Sequence, residues 1–238
     1  MELFNTKMLR LTLLAAMSTG LIACHHDDDD DPQITPPPAP VEVTYQVTIT
    51  NLTNAQPFSP IALALHTEGN FWMIGEAASV ELETMAEGGD NSGLLGLSIV
   101  MASATGEMPL GPGGNETFEI TIEDVTDAKL SIATMLVNTN DAFTGLNAWD
   151  LSELGVDDTW STTAHAYDAG TEVNSEAAGT MPGPADGGVG FDASRMDVDF
   201  VAAHPGVVTS SDNLPSSVLN SQHKFDNPVA RISVTRTQ

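Results

Sequence analysis

The chain has 238 residues, 33 Asp and Glu against 7 Lys and Arg, and a formal net charge of −26. That balance excludes nucleic-acid binding, which needs a basic footprint to displace counterions from phosphates. A single cysteine, Cys24, excludes an internal disulfide and a cysteine metal site.

In chain order the first expected elements concern targeting. "MELFNTKMLRLTLLAAMSTGLIAC" opens with Lys7 and Arg10, runs apolar from Leu11 to Met17, and ends on small residues before Cys24. This is the pattern of a secretory signal, and the apolar run is too short for a membrane span of about 20 residues. The ending Leu21 to Cys24, "LIAC", resembles a bacterial lipobox. In such signals the cysteine is lipidated and begins the mature chain. Residues 1–23 are therefore expected to be a signal peptide, and Cys24 to hold the protein to a membrane through its lipid. Their removal takes away Glu2, Lys7 and Arg10, which leaves the remainder one charge more negative.

Residues 24–42 read as a tether. "HHDDDDDPQITPPPAP", His25 to Pro40, has no apolar periodicity and is rich in Asp and Pro. At about 3.1 Å per residue its proline-rich part would hold a domain well clear of a bilayer. A solvated spacer accounts for His25, His26 and the aspartates better than a metal site does, because an extended run does not preorganise a coordination shell. The expected location is the bacterial cell envelope. The outer membrane is favoured, because the residue after Cys24 is His25 rather than Asp.

Residues 43–238 are of a size for one domain. Period-two alternation, the mark of half-buried strands, recurs along them. In residues 41–50 Val43, Tyr45, Val47 and Ile49 share a face, and in residues 117–122 Phe118, Ile120 and Ile122 do. "KLSIATMLV", residues 129–137, is apolar on both faces and is expected to be a central strand. "RMDVDFVA", residues 195–202, alternates Met196, Val198 and Phe200 with Asp197 and Asp199. "VARISVTR", residues 229–236, places Ala230, Ile232 and Val234 on one side. Helix is expected only in residues 76–89, stopped by Gly88 and Gly89, and in the short stretch "NAWDLSELG", residues 147–155. Many strands with little helix predict an all-β antiparallel sandwich with one or two short helices.

"HAYDAGTEVNSEAAGT", His165 to Thr180, crowds Asp168, Glu172 and Glu176 with no lysine or arginine nearby. The expected central strand runs into "VNTNDAF", where Asp141 follows Asn138 and Asn140. If these two strand ends are neighbours, Asp141, Asp168 and Glu172 converge as hard oxygen ligands. They would suit Ca²⁺, which takes 6–8 oxygens in irregular geometry. Gly170 would allow the sharp turn between Asp168 and Glu172. A bound cation would then relieve the repulsion. The same residues also fit loop aspartates in Asx-turns beside a solvated Glu172. No EF-hand pattern is present, and the residues alone leave both readings open.

Four stretches taken together resemble the spondin domain, the N-terminal module of F-spondin and mindin that also occurs in bacterial secreted proteins. They are "VTYQVTITNLTNAQPFSPIALALH", "LSIATMLVNTNDAFTGL", "AYDAGTEVN" and "NPVARISVTR". The resemblance spans about Val43 to Arg236. It implies a C2-like sandwich with one Ca²⁺ at the loops of one end, held by Asp141, Asp168 and Glu172. Glu172 departs from the family's usual Asp and reaches one CH₂ further. The thrombospondin repeats and reeler domain that accompany the module in animals are missing, so matrix and guidance roles do not carry over.

No H-E-x-x-H or G-x-S-x-G motif is present. His66 and His165 read as sheet histidines and His204 as a loop residue. Trp72, Trp149 and Trp160 read as packing residues, and Pro182 to Gly190 as a loop. The expected function is non-catalytic. It is that of an envelope-anchored, calcium-binding adhesion or interaction module for a protein or glycan partner. The alternative is an envelope hydrolase acting on polysaccharide or phosphoester through an open metal position.

Overall fold

The computed structural model describes Ala39–Gln238 apart from Thr126. The expected signal peptide, Cys24 and most of the tether lie outside the described residues.

The elements in order are β1 (Glu42–Asn51), β2 (Ala62–His66), α1 (Val80–Gly88), α2 (Ser92–Leu95), β3 (Ala102–Thr105), β4 (Asn115–Glu123), β5 (Lys129–Met135), β6 (Ala142–Asp150), β7 (Thr159–Ala164), β8 (Ala166–Asp168), β9 (Ala202–Ala203) and β10 (Ala230–Arg236). They form two antiparallel sheets, ordered β4-β1-β10-β7 and β3-β2-β5-β6-β8-β9. The molecule is thus the expected all-β antiparallel sandwich with two short helices.

The period-two patterns determine which side chains meet. Val47 of β1 lies opposite Val234 of β10 and Phe118 of β4. These residues, with Tyr45, Ile49, Ile120 and Ile232, face Leu63, Leu65, Leu130 and Ile132 of the other sheet in a continuous core. Burial of such a side chain is worth roughly 1.5–3 kcal/mol.

β5 is central and apolar on both faces because both faces are covered. Leu130 and Ile132 point into the sandwich. Ala133 and Met135 point outward into a second core, roofed by Leu82, Met85 and Ala86 of α1 and by Phe71, Trp72 and Leu94. α1 starts where Ser79 accepts a hydrogen bond from Leu82 N and stops at the left-handed Gly89, whose N–H reaches Met85 O.

Two local expectations are corrected. "NAWDLSELG" is not a helix: β6 continues to Asp150. A bulge lies there, where Leu130 pairs with Trp149 and Ile132 with Leu146. Ala148 takes a positive φ of 51° and gives its N–H to Ser131 Oγ. Pairing with the central strand outweighs a weak local helical preference. "RMDVDFVA" is not a strand over its length either. Only Ala202–Ala203 pairs, with Tyr167–Asp168, while Met196, Val198 and Phe200 are exposed. Arg195 is held instead by Glu83, Asp199 and the carbonyl of Ala78.

His66 is a satisfied sheet histidine, bonded to Ser131 Oγ at 2.8 Å and Glu68 O at 2.7 Å, whereas His165 is exposed. Trp149 and Trp160 stack at 4.2 Å from strands of different sheets, and Trp72 is buried against Phe143. Among the described residues no helix is long and apolar enough to cross a membrane.

Candidate functional site

The β5–β6 connection and the loop after β8 meet at one end of the six-stranded sheet. β8 pairs with β6 so that Asp168 lies opposite Ala142, next to Asp141. The β5–β6 turn is locked by the Thr139 hydroxyl, which donates to Leu136 O at 2.6 Å and accepts from Ala142 N. The flanking asparagines tie it to neighbouring loops. Asn138 Oδ1 accepts from Ala185 N. Asn140 Oδ1 accepts from Ser175 N and Glu176 N, and its amide donates to Glu172 Oε1 at 3.1 Å.

Asp141 is completely buried. Its Oδ2 accepts hydrogen bonds from Thr171 N at 2.8 Å, Thr171 Oγ1 at 3.3 Å and Glu172 N at 3.1 Å. Its Oδ1 has no partner among the described residues. Burial, then the charge of Asp168, pushes its carboxyl up to about 7 against the lowering effect of those donors. Asp168 is buried too. Its Oδ1 accepts from Gly170 N at 2.8 Å in an Asx-turn, and its Oδ2 from Asn174 Nδ2 at 2.6 Å. Glu172 is half-buried. Burial pushes its carboxyl up to about 7, with the charges of Glu87, Asp141 and Asp192 adding to the rise.

Asp141, Asp168 and Glu172 are thus neighbours, each held by its own hydrogen bonds. Among the described residues no three or more His, Cys, Asp or Glu side chains are drawn into the close group that would grip a metal ion. Gly170 makes the turn between Asp168 and Glu172, with φ +72°. A Cβ there would lie 2.3 Å from Phe200 O. Glu176, the third acid of the stretch, goes elsewhere: it is buried and accepts from Val208 N.

The pole also holds acids that the loop motifs do not reveal. Glu83 and Glu87 of α1 are both buried. Glu83 Oε2 accepts from Arg195 Nε and Nη2, the latter at 2.7 Å. Glu87 Oε2 accepts from Asp192 N at 2.8 Å. Glu83 Oε1 and Glu87 Oε1 have no partner among the described residues. Burial raises the Glu87 pKa, and the charges of Glu83 and Asp192 add to the rise. A signal for these acids did exist. Glu83 and Glu87, four residues apart on a helix of only nine, flank the apolar stripe of Leu82, Met85 and Ala86, where a solvated acid does not belong.

Of the five Lys and Arg residues after Cys24, Arg195 alone reaches these carboxylates among the described residues, and it serves Glu83. The remainder is an all-oxygen, electron-rich site with incompletely satisfied buried carboxylates. Such a donor set suits a hard cation and is poor at nucleophilic or redox chemistry. No family model matches the chain, and no curated protein matches it.

Proposed function

We propose that this chain is a calcium-binding, lipid-anchored envelope protein whose spondin-like sandwich is a non-catalytic interaction module. Asp141, Asp168 and Glu172 hold Ca²⁺ at one pole. The ion rigidifies the loops around it, and they present a surface to a protein or glycan partner. The single observation that carries the reading is Asp141 Oδ1, an oxygen of a fully buried carboxylate with no donor among the described residues, beside two further carboxylates. A buried carboxylate oxygen left this way is costly unless a cation or proton occupies it. The oxygen-only donor set fits calcium.

Calcium at a free concentration about 100-fold above Kd would add about 2.7 kcal/mol. For a domain of this size that raises the melting temperature by roughly 5–10 °C. Melting with calcium and with EGTA tests this, using the wild type and Asp141→Asn. Equal melting of the wild type in the two buffers would sink the proposal.

A further inference from the structure

We infer that the cleft between β6 and β7 is a binding site for an uncharged glycan. This rests on the reading of the chain as an interaction module, and not on the ion. The cleft arises because the chain changes sheets. Ala166 and Tyr167 of β8 pair with Thr144 and Phe143 of β6. Just before them, at His165, whose carbonyl accepts from Thr144 Oγ1 at 2.8 Å, the chain passes between the sheets: β7 pairs with β10 of the four-stranded one. β6 and β7 therefore part beyond Thr144. Gly145 and Leu146 on one side and Thr162 and Thr163 on the other line a cavity of about 570 Å³, within the roughly 300–1,000 Å³ usual for small-ligand sites.

Three observations point to a neutral sugar. The first is charge. The chain carries 33 Asp and Glu, yet among the described residues none that lines this cavity is Asp, Glu, Lys or Arg. An anion would be repelled by the net charge of −26, and a cation finds no carboxylate there. The second is the mixture of surfaces. The lining combines the aromatic residues Trp72 and Tyr167 with amide, hydroxyl and imidazole groups at Asn70, Thr162, Thr163 and His165. A pyranose has the matching surface, an apolar C–H face and a rim of hydroxyls. The rings are set in advance: Tyr167 lies 5.6 Å from Trp72 and 5.5 Å from Phe143, and Trp72 lies 5.1 Å from Phe143. Asn147 holds the segment that carries Trp72, accepting from Phe71 N at 2.9 Å and donating to Trp72 O at 2.6 Å. Such prior ordering lowers the entropic cost of binding. The third is the Trp149–Trp160 stack, which lies just past Asn147 on β6 and Thr162 on β7. Trp149 is 42 % exposed, so a flat aromatic surface continues the cleft along both strands for a second sugar. A peptide strand fits less well. The positive φ of Ala148 (51°) and the break between β7 and β8 at His165 interrupt the two edges, and a hydrogen-bonded ladder needs regular ones.

The test uses the full-length protein with calcium, in a detergent without sugar headgroups. A printed array of uncharged, sialylated and sulfated glycans selects ligands, and the selected ones are titrated by tryptophan fluorescence. All three tryptophans lie at the cleft or at its end, so bound sugar should change the emission. Uncharged glycans should bind, and charged ones should not. Thr163→Glu places a charge in the cleft from an exposed position and should weaken the selected glycan about tenfold or more. Tyr167→Ala should weaken it about tenfold, and if that variant does not fold, Thr163→Glu decides. An array on which no uncharged glycan binds above background would overturn the inference. So would a selected glycan that binds Thr163→Glu as it binds wild type. Display-selected peptides that lose binding in Thr163→Glu, with the glycans silent, would give the cleft to a strand of a protein partner instead. Calcium is scored apart by melting. Stabilisation by calcium without glycan binding ends the cleft proposal and leaves the calcium site standing; glycan binding in a wild type that ignores calcium does the reverse.

Discussion

Asn174 donates its side-chain amide to Asp168 Oδ2 at 2.6 Å, the shortest tie on any of the three loop carboxylates. The amide is itself oriented. Gly206 N donates to His204 Nδ1, which puts the imidazole proton on Nε2, and Nε2 then donates to Asn174 Oδ1 at 3.1 Å. Burial holds His204 neutral, its pKa pushed down to about 4. The chain from His204 through Asn174 to Asp168 fixes where one carboxylate oxygen points. Asn174→Ala should therefore weaken calcium binding about tenfold and cost about 1–2 kcal/mol without calcium. Titration calorimetry and EGTA melts measure the two effects separately. Unchanged affinity would show that the aim of Asp168 does not matter for the ion.

Asp141 should make the calcium-free protein less stable as pH rises. Its carboxyl titrates near 7 in the folded chain and near the ordinary value of about 3.9 when unfolded. Between those values the folded state keeps a proton that the unfolded state has released. The native state is therefore penalised progressively as pH climbs from about 4 to about 7, and fully above that. His204 works in the opposite direction as pH falls, so the comparison is made against Asp141→Asn. In EGTA at pH 8 that variant should be more stable than wild type by about 2 kcal/mol, once the cost of a buried amide is set against about 4 kcal/mol of relieved penalty. The gap should close at about pH 5.5 and reverse below it, where the penalty has gone and only the cost of the amide remains. A variant less stable than wild type at pH 8 would contradict this.

Calcium must displace the proton from such carboxyls, so its affinity should fall as pH drops through about 7. Binding at pH 7 should release protons, seen as a buffer-dependent enthalpy in calorimetry. Heats that do not change with the buffer would count against carboxylate ligation there.

Gly170→Ala should be severe. The position requires φ +72°, and the added Cβ would meet the carbonyl of Phe200 at 2.3 Å. Backbone strain and a clash with main chain together should cost about 3 kcal/mol or more. They should also separate Asp168 from Glu172 and abolish calcium-dependent melting. Gly179→Ala has a similar φ of +86° but no neighbour within 4 Å of the added Cβ. It should cost only about 1 kcal/mol, the strain without the clash.

The lipid anchor is testable by itself. Cys24→Ser should move the protein from the detergent phase to the aqueous phase on phase separation and abolish incorporation of labelled palmitate. Unchanged partitioning would remove Cys24 from the account. The calcium response of Cys24→Ser should match that of wild type, since the carboxylates proposed to hold the ion all lie in residues 141–172.

Period-two alternation is local, and a strand must hide one face, so Tyr45, Val47, Ile120 and Ile232 could be read inward before any partner was known. The two-sided apolarity of residues 130–136 announced a strand covered on both faces for the same reason. The same reasoning misread Met196, Val198 and Phe200. Alternation states what a strand would bury, but Arg195 and the positive φ of Asp199 (56°) hold that segment irregular and exposed. It also misread residues 147–150, where pairing with β5 absorbs Ala148 as a bulge.

The sandwich, the acidity and the short list of loop carboxylates are legible along the chain, because burial patterns and charge are properties of neighbouring residues. Which acids share an environment follows from packing alone. Glu87 reaches the pole because α1 packs its Leu82 face on the outer side of β5, and Glu176 leaves it because its loop turns toward Val208. Electrostatic coupling depends on distance in space and on exclusion of water, and neither can be read along the chain.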